Sequence, residues 1–290
     1  VLVAAFALLA AYGSHPAYAI IFQTTADQTA GLGAGQDFLN PEAKLTIGLS
    51  DGSQSGCSGS LLAGGQYVLT AAHCVTGGSD TLTARSISVN FANTGLTVTT
   101  NSYVVDPTWN GSLTNGGDLA LIKLSTPVTT IAGYVLDTAS SAVGQVVTIT
   151  GYGNTGVGGN GYTSGTFGTL YYGTNTYLGV FSNVPSVYGF LYTQTFGVGA
   201  PDVMIAPGDS GGGSLIDVAG VWEIVGVHDF VACTTNGCVA NGSYGQYGGD
   251  TSIYADQAWI DSVVPEPAPI LVVALGVLGL AGVRRRSLRL

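Results

Sequence analysis

Three side chains with the chemistry for acyl transfer stand at His73, Asp118 and Ser210. Ser210 lies in Gly208-Asp209-Ser210-Gly211-Gly212, where glycines leave its hydroxyl and the backbone N–H groups uncovered. A serine set this way suits a nucleophile next to an oxyanion-binding pocket. His73 ends the run Leu69-Thr70-Ala71-Ala72-His73, directly before Cys74. A strand end and a neighbouring disulfide would hold its imidazole in place, as a general base requires. Asp118 opens the apolar stretch Leu119-Ala120-Leu121-Ile122. A carboxylate at the mouth of a buried strand needs a specific partner.

The elements that must position these groups read as strands. KLTIGLS (44–50), QYVLTAA (66–72), SISVNF (86–91), LTVTTNSYVV (96–105), LALIKL (119–124) and QVVTIT (145–150) are rich in β-branched and aromatic residues. TLYYGT (169–174), GFLYTQTF (189–196), GSLIDV (213–218) and WEIVGVHDF (222–230) continue the pattern. Gly, Ser, Asn and Asp separate them, so the chain reads as all-β, and 245 residues from Ile20 to Val264 suffice for two small barrels. The Gly/Thr/Tyr/Asn-rich stretch 151–177 reads as long surface loops around edge strands. One helix is expected, over Thr251–Val263.

Order along the chain separates two folds that share a glycine-flanked serine. In α/β-hydrolases the nucleophile comes first, then the acid, then the histidine, on a sheet alternating with long helices. Here only His228 follows Ser210, and the helices are missing. The order His73, Asp118, Ser210 on a strand framework is the alternative.

The chain resembles the trypsin/chymotrypsin-like serine proteases over roughly residues 44–262. Gly56-Cys57-Ser58-Gly59-Ser60-Leu61-Leu62, Leu69 to Cys74, Gly117 to Leu124, Thr150-Gly151-Tyr152-Gly153 and Gly208 to Gly212 carry the likeness, in that order. The resemblance implies two antiparallel β-barrels, about 44–128 and 145–250, with a short C-terminal helix. It also implies a serine endopeptidase without a cofactor or catalytic metal. Ser210 would attack the carbonyl carbon, His73 would carry the proton, and Asp118 would hold the histidine tautomer. The N–H groups of Gly208 and Ser210 would form the oxyanion hole, each donor being worth about 3 kcal/mol. A serine esterase using the same three groups and a catalytically silent matrix-binding or adhesion module are the alternative readings.

The chain departs from the family pattern near the expected specificity pocket, for which Met204, Asp229, Phe230 and Val231 are the candidates. Gly213 stands where the family usually has proline, and Ala206 where it often has a cysteine. Met204, six residues before Ser210, falls by counting at the pocket base and points to apolar or mixed P1 side chains. Asp202 and Asp229 are near enough in sequence for a loop shift to bring either into the pocket. Asp229 falls where a small polar residue normally supports the catalytic acid, and a second carboxylate there would raise the pKa of one of the two. It could instead face the cleft or pair with His228. An Ile20-Ile21 end would offer an α-amine to Asp209, which local N–H groups could also satisfy.

Composition and the two ends bear on destination. Lys44, Arg85 and Lys123 are the only bases between residues 20 and 266, and against all 17 acidic residues they leave that body at −14. Such charge excludes nucleic acid and anionic membrane surfaces as partners. Residues 1–19 end in Ala17-Tyr18-Ala19 after an apolar run and read as a signal peptide for signal peptidase, leaving 20–43 as an N-terminal segment before the protease domain at 44–263. Export favours disulfides, expected here as Cys57–Cys74 and Cys233–Cys238. Val264-Pro265-Glu266-Pro267, a 16-residue apolar span and Arg284-Arg285-Arg286 resemble the PEP-CTERM sorting tail of Gram-negative bacteria. That likeness implies an exosortase partner, transient membrane association of residues 264–290 and delivery to the cell surface or extracellular matrix.

Overall fold

The computed structural model describes residues 20–78, 80–137, 141–180, 191–197, 202–233 and 238–264. The expected signal segment 1–19 and the sorting tail from Pro265 onward lie outside the described residues, with only Val264 of that tail inside, as the C-cap of the last helix. No helix among the described residues is long and apolar enough to cross a membrane.

Chain order begins with β1 (Ile20–Phe22) and the short α1 (Thr25–Ala30). The first barrel then runs through β2 (Glu42–Leu49), β3 (Gln54–Leu61), β4 (Tyr67–Thr70), β5 (Ala84–Phe91), β6 (Leu96–Thr100), β7 (Tyr103–Val105) and β8 (Ala120–Lys123). A single-turn helix, α2 (Ala72–Thr76), interrupts it after β4. These seven strands form one antiparallel sheet in the order β6-β5-β2-β3-β4-β8-β7. Alternation explains which face each strand buries: Leu45, Ile47 and Leu49 of β2 point inward, while Thr46 faces out. Truncating a fully buried leucine such as Leu45 to alanine costs about 2–5 kcal/mol.

The second barrel contains β9 (Val135–Leu136), β10 (Val146–Gly151), β13 (Tyr171–Thr176), β14 (Gly179–Val180), β15 (Leu191–Thr195), β16 (Gly213–Val218), β17 (Val221–Ala232) and β18 (Tyr247–Ser252). Its order is β13-β10-β16-β17-β18-β15-β14, with β9 added beside β17. The helix α3 (Ile253–Val263) closes the domain, starting two residues later than expected because Ser252 is its N-cap and accepts from the Ala255 N–H.

Three features differ from the reading of the sequence. The segment before residue 44 is built into the fold: β1 pairs in parallel with β11 (Thr155–Val157), which pairs with β12 (Tyr162–Thr163). Stretch 151–177 holds β11 and β12 where loops were expected, while β13 falls on the run 169–174 that was read as a strand. Helices α1 and α2 are also additional to the one expected helix; both are too short to show an amphipathic period.

Candidate active site

His73 sits on α2 because β4 ends at Thr70 and the chain turns at once. The turn is closed by Gly77 in the left-handed conformation (φ 69°) and tied to β3 by the Cys57–Cys74 disulfide. Asp118, fully buried just before β8, reaches the same turn because β8 is hydrogen-bonded to β4. Its Oδ1 accepts the His73 backbone N–H at 2.8 Å and its Oδ2 lies 2.6 Å from His73 Nδ1. Backbone and ring are thus held by one carboxylate, which leaves Nε2, 3.9 Å from the Cys74 sulfur, as the nitrogen not bound to it, on a ring that is 15% exposed. Burial would lower the pKa of His73, but the charge and hydrogen bond of Asp118 outweigh it and raise the imidazole above its ordinary value.

Ser210 comes from the loop that leads into β16, and groups of both barrels clamp this loop. Ser58 of β3 donates its N–H to the Ser210 carbonyl at 2.9 Å and its hydroxyl to the Gly208 carbonyl at 2.9 Å. The Gly211 N–H bonds to the His228 carbonyl of β17 at 2.9 Å. Gly208 (φ 99°) and Gly211 (φ 82°) are both left-handed, and a Cβ on Gly211 would strike Thr70 Oγ1. The Gly208 and Ser210 N–H groups make no hydrogen bond to another described residue.

Asp209 points away from the solvent and is fully buried. Its carboxylate accepts from the Gly153 N–H at 2.8 Å and the Ala206 N–H at 2.9 Å, and also from the Ile20 N–H. The local N–H groups weighed from the sequence are therefore present. Burial pushes its carboxyl up to about 7, against the lowering effect of these donors.

His73 and Ser210 line one cavity of about 260 Å³, with Ile205, Ala206, Pro207, Asp229, Phe230 and Val231 also on its wall. Met204 is not among the lining residues. Its N–H and C=O both bond to Ile21 of β1, which turns the side chain into the second-barrel core at 0% exposure. The pocket wall starts one residue later, at Ile205. Asp202 also lies elsewhere, on a shallow depression beside Phe22 and Asp27. Asn241, on the cavity wall, was not identified from the sequence.

Strand β17 carries a bulge between His228 and Phe230, at Asp229. Asp229 Oδ2 accepts the Thr251 hydroxyl at 2.6 Å. His228 does not pair with it, since adjacent strand residues face opposite sides. Instead His228 Nδ1 lies 3.0 Å from Asp250 Oδ1, and Asp250 Oδ2 accepts from Tyr177 at 2.5 Å and Ser214 at 2.7 Å. Asp250, Tyr177, Ser214 and Thr251 were missed, because strand register and the path of the chain after β13 bring them here: β18 carries Asp250 and Thr251, and β16 carries Ser214. The second disulfide, Cys233–Cys238, closes the loop after β17. Cys57, His73 and Cys74 cluster closely, but the two sulfurs are bonded to each other and offer no thiolate to a metal.

Comparison with known proteins adds family to geometry. Brachyurin of Leptuca pugilator is 37% identical over 103 residues, covering 33% of this chain and 44% of the relative, so the match spans less than half of that relative's length. The solved structure of HL collagenase superposes with a TM-score of 0.61 at 22% identity, covering 80% of this chain and 96% of that one, and shows the shared fold. The family model described as Trypsin matches residues 35–255, most of the described body, and the chain belongs to the trypsin family.

Proposed function

We propose that this protein is an exported serine endopeptidase that cleaves peptide bonds through an acyl-enzyme. The observation that carries the reading is the His73–Asp118 pair facing a cavity that also holds Ser210. Ser210 Oγ attacks the scissile carbonyl, and His73 Nε2 takes its proton and returns it to the leaving amine. Asp118 fixes the ring so that Nδ1 carries hydrogen and Nε2 is basic. The free N–H groups of Gly208 and Ser210 receive the oxyanion. The apolar wall of Ile205, Ala206, Pro207, Phe230 and Val231 favours an uncharged, apolar P1 side chain. The test is labelling by a fluorophosphonate probe followed by a peptide-library profile. Labelling of wild type but not of Ser210→Ala, with cleavage after apolar residues, is expected. Turnover of esters with no peptide cleavage would replace the peptidase by an esterase, and absence of labelling would leave a silent binding module.

The mature enzyme begins at Ile20 in this reading. Ile20 has φ 65°, a conformation a β-branched residue rarely adopts, and it is fully buried with its N–H on Asp209. Cutting the Ala19–Ile20 bond removes that torsion and places an ammonium on a buried carboxylate. The new charge draws the Asp209 carboxyl below about 7 and braces the Ser210 loop from behind. N-terminal sequencing of the active protein should return Ile-Ile-Phe; a later start would refute it. Residues 264–290 act as a sorting tail recognised by an exosortase-type enzyme at the bacterial envelope. Unchanged C-terminal processing after substitution of Pro265, Glu266 and Pro267 would refute that assignment.

A further inference from the structure

Ser58 is tied to the nucleophile loop more closely than its place in a strand requires. It follows Cys57 on β3, and the Cys57–Cys74 disulfide anchors the His73 turn. Two adjacent residues of one strand therefore fix the turn of the base and the turn of the nucleophile. Ser58 is 0% exposed, and each of its polar groups is engaged. Its N–H goes to the Ser210 carbonyl, and its own carbonyl accepts the Thr70 hydroxyl at 2.8 Å. Its Oγ accepts the Tyr152 N–H at 2.9 Å and donates to the Gly208 carbonyl at 2.9 Å. A hydroxyl has a single hydrogen to give, and with the Tyr152 N–H facing its oxygen that hydrogen is turned to Gly208.

Gly208 supplies one of the two oxyanion donors, and its backbone is also the easiest to turn. At φ 99° it lies where glycine alone is unstrained, so the peptide planes on either side rotate at little cost. A trans peptide points its N–H opposite to its C=O, so whatever holds the carbonyl also aims the N–H. The Pro207 carbonyl shares a plane with the Gly208 N–H. Asn154 holds it twice, with its backbone N–H at 2.8 Å and its Nδ2 at 3.0 Å. The Gly208 carbonyl lies on the next plane, and among the described residues it accepts from the Ser58 hydroxyl and from nothing else. Phe167 fills the space beside the turn, 2.7 Å from where a Gly208 Cβ would stand, but an apolar contact gives a peptide plane no direction.

We propose that Ser58 is a positioning residue for the oxyanion hole: its hydroxyl, oriented by the Tyr152 N–H, locks the peptide plane after Gly208, while Asn154 locks the plane before it. This role rests on the acyl-transfer reading above. Without the hydroxyl the Gly208 carbonyl becomes an enclosed acceptor with no donor, a cost that the plane relieves by turning. Rotation about Gly208 then carries the N–H away from the developing oxyanion. Ser58 touches no substrate in this arrangement; it acts through the turn.

The test compares Ser58→Ala, which lacks the hydroxyl, with Ser58→Thr, which keeps one. The probe is a peptidyl trifluoromethyl ketone, isotopically labelled at its carbonyl carbon. Ser210 Oγ adds to that carbon, the serine proton passes to His73, and the ketone oxygen becomes the oxygen of a hemiketal seated as the oxyanion would be. Its carbon NMR shift against pH gives the hemiketal pKa, which well-aimed N–H donors lower. Ser58→Ala should raise that pKa by about half to one unit and lower kcat about three- to tenfold, the worth of one neutral hydrogen bond, with KM little changed. Ser58→Thr should keep both values near wild type. A Ser58→Ala protein that melts lower yet keeps the wild-type hemiketal pKa and kcat overturns the proposal, because the hydroxyl would then only bind strand to loop. A Ser58→Thr protein as impaired as Ser58→Ala overturns it too. If Ser58→Ala does not fold, Ser58→Gly, on a strand that already carries Gly56 and Gly59, is read by the same two outcomes. A wild type that neither reacts with fluorophosphonate nor adds the ketone removes the acyl-transfer reading instead, which keeps the two failures apart.

Discussion

His73–Asp118 and His228–Asp250 are both Nδ1-to-carboxylate pairs, at 2.6 and 3.0 Å, one carried by the first barrel and one by the second. In both, burial would lower the histidine pKa and the paired aspartate more than compensates. A serine hydroxyl accompanies each: Ser210 shares a cavity with His73, and Ser214 bonds directly to Asp250. The difference is access. His73 keeps a 15% exposed ring on the cavity wall, whereas the His228 side chain is 0% exposed and its Nε2 is enclosed. Asp250 is also saturated by Tyr177 and Ser214, so burial, which would raise its pKa, is outweighed by His228 and these hydroxyls. A histidine–aspartate pair is therefore no sign of chemistry by itself; one has a substrate's path to it and the other ties β16, β17 and β18 together.

Serine substitutions give the largest separation. Ser210→Ala should reduce kcat by on the order of 10⁶-fold with an unchanged melting temperature. Ser214→Ala should leave kcat nearly untouched and lower stability, because it removes a donor from a buried carboxylate. Next come the acids. Asp118→Asn should lower kcat by about 10⁴-fold through the wrong histidine tautomer. Asp250→Asn should cost about 3–5 kcal/mol in a denaturant titration, the range for breaking a buried pair. If Asp250→Asn were as damaging to kcat as Asp118→Asn in a folded protein, the division between the two pairs would collapse.

Acid and base limbs separate the pairs again. Hydrolysis needs neutral His73, so kcat/KM should fall as pH drops through its raised pKa. Stability should respond through Glu42, a buried first-barrel acid that bonds to Ser60 and acts electrostatically on His228. Its burial outweighs these contacts and pushes the carboxyl up to about 7. The folded state then binds a proton that the unfolded state releases near pH 4.5, so stability falls as pH rises from about 4.5 to about 7 and is level above. Over that window Glu42→Gln should gain on wild type by on the order of 3 kcal/mol, read from denaturation curves at several pH values. Parallel curves would remove Glu42 from the account.

What could be read from the sequence follows from how locally each feature is determined. His73 and Ser210 lie in segments whose own turns and glycines set the backbone, and the strand pattern around Asp118 announces burial. Two barrels were legible because Leu45, Ile47 and Leu49 alternate as β2 requires. Asp250 was not legible: its meeting with His228 depends on the register of β17 against β18 and on a bulge one residue long. Met204 shows the same limit in another form. Counting back from Ser210 assumes a fixed loop, whereas β1 captures Met204 and moves the pocket wall to Ile205. That strand comes from a segment with no strong period, which is why its place in the fold was not foreseen.

The smallest expected effects use the same bond in two places. Tyr177 donates to Asp250 at 2.5 Å and Thr251 donates to Asp229 at 2.6 Å. Removing either donor, by Tyr177→Phe or Thr251→Val, deletes one hydroxyl from a buried carboxyl and should cost about 1–3 kcal/mol. The loss should surface in different observables. Behind His228 the carboxyl has no substrate to serve, so Tyr177→Phe should appear as lowered stability at constant kcat. The Asp229 carboxyl stands on the wall of the cavity that His73 and Ser210 share, so Thr251→Val should also lower kcat several-fold, with KM unchanged. Equal shifts in melting temperature with equal, unaltered kcat would mean that both acids merely hold strands together. A fall in kcat confined to Thr251→Val would mean that the chain of groups behind Ser210 reaches as far as β18.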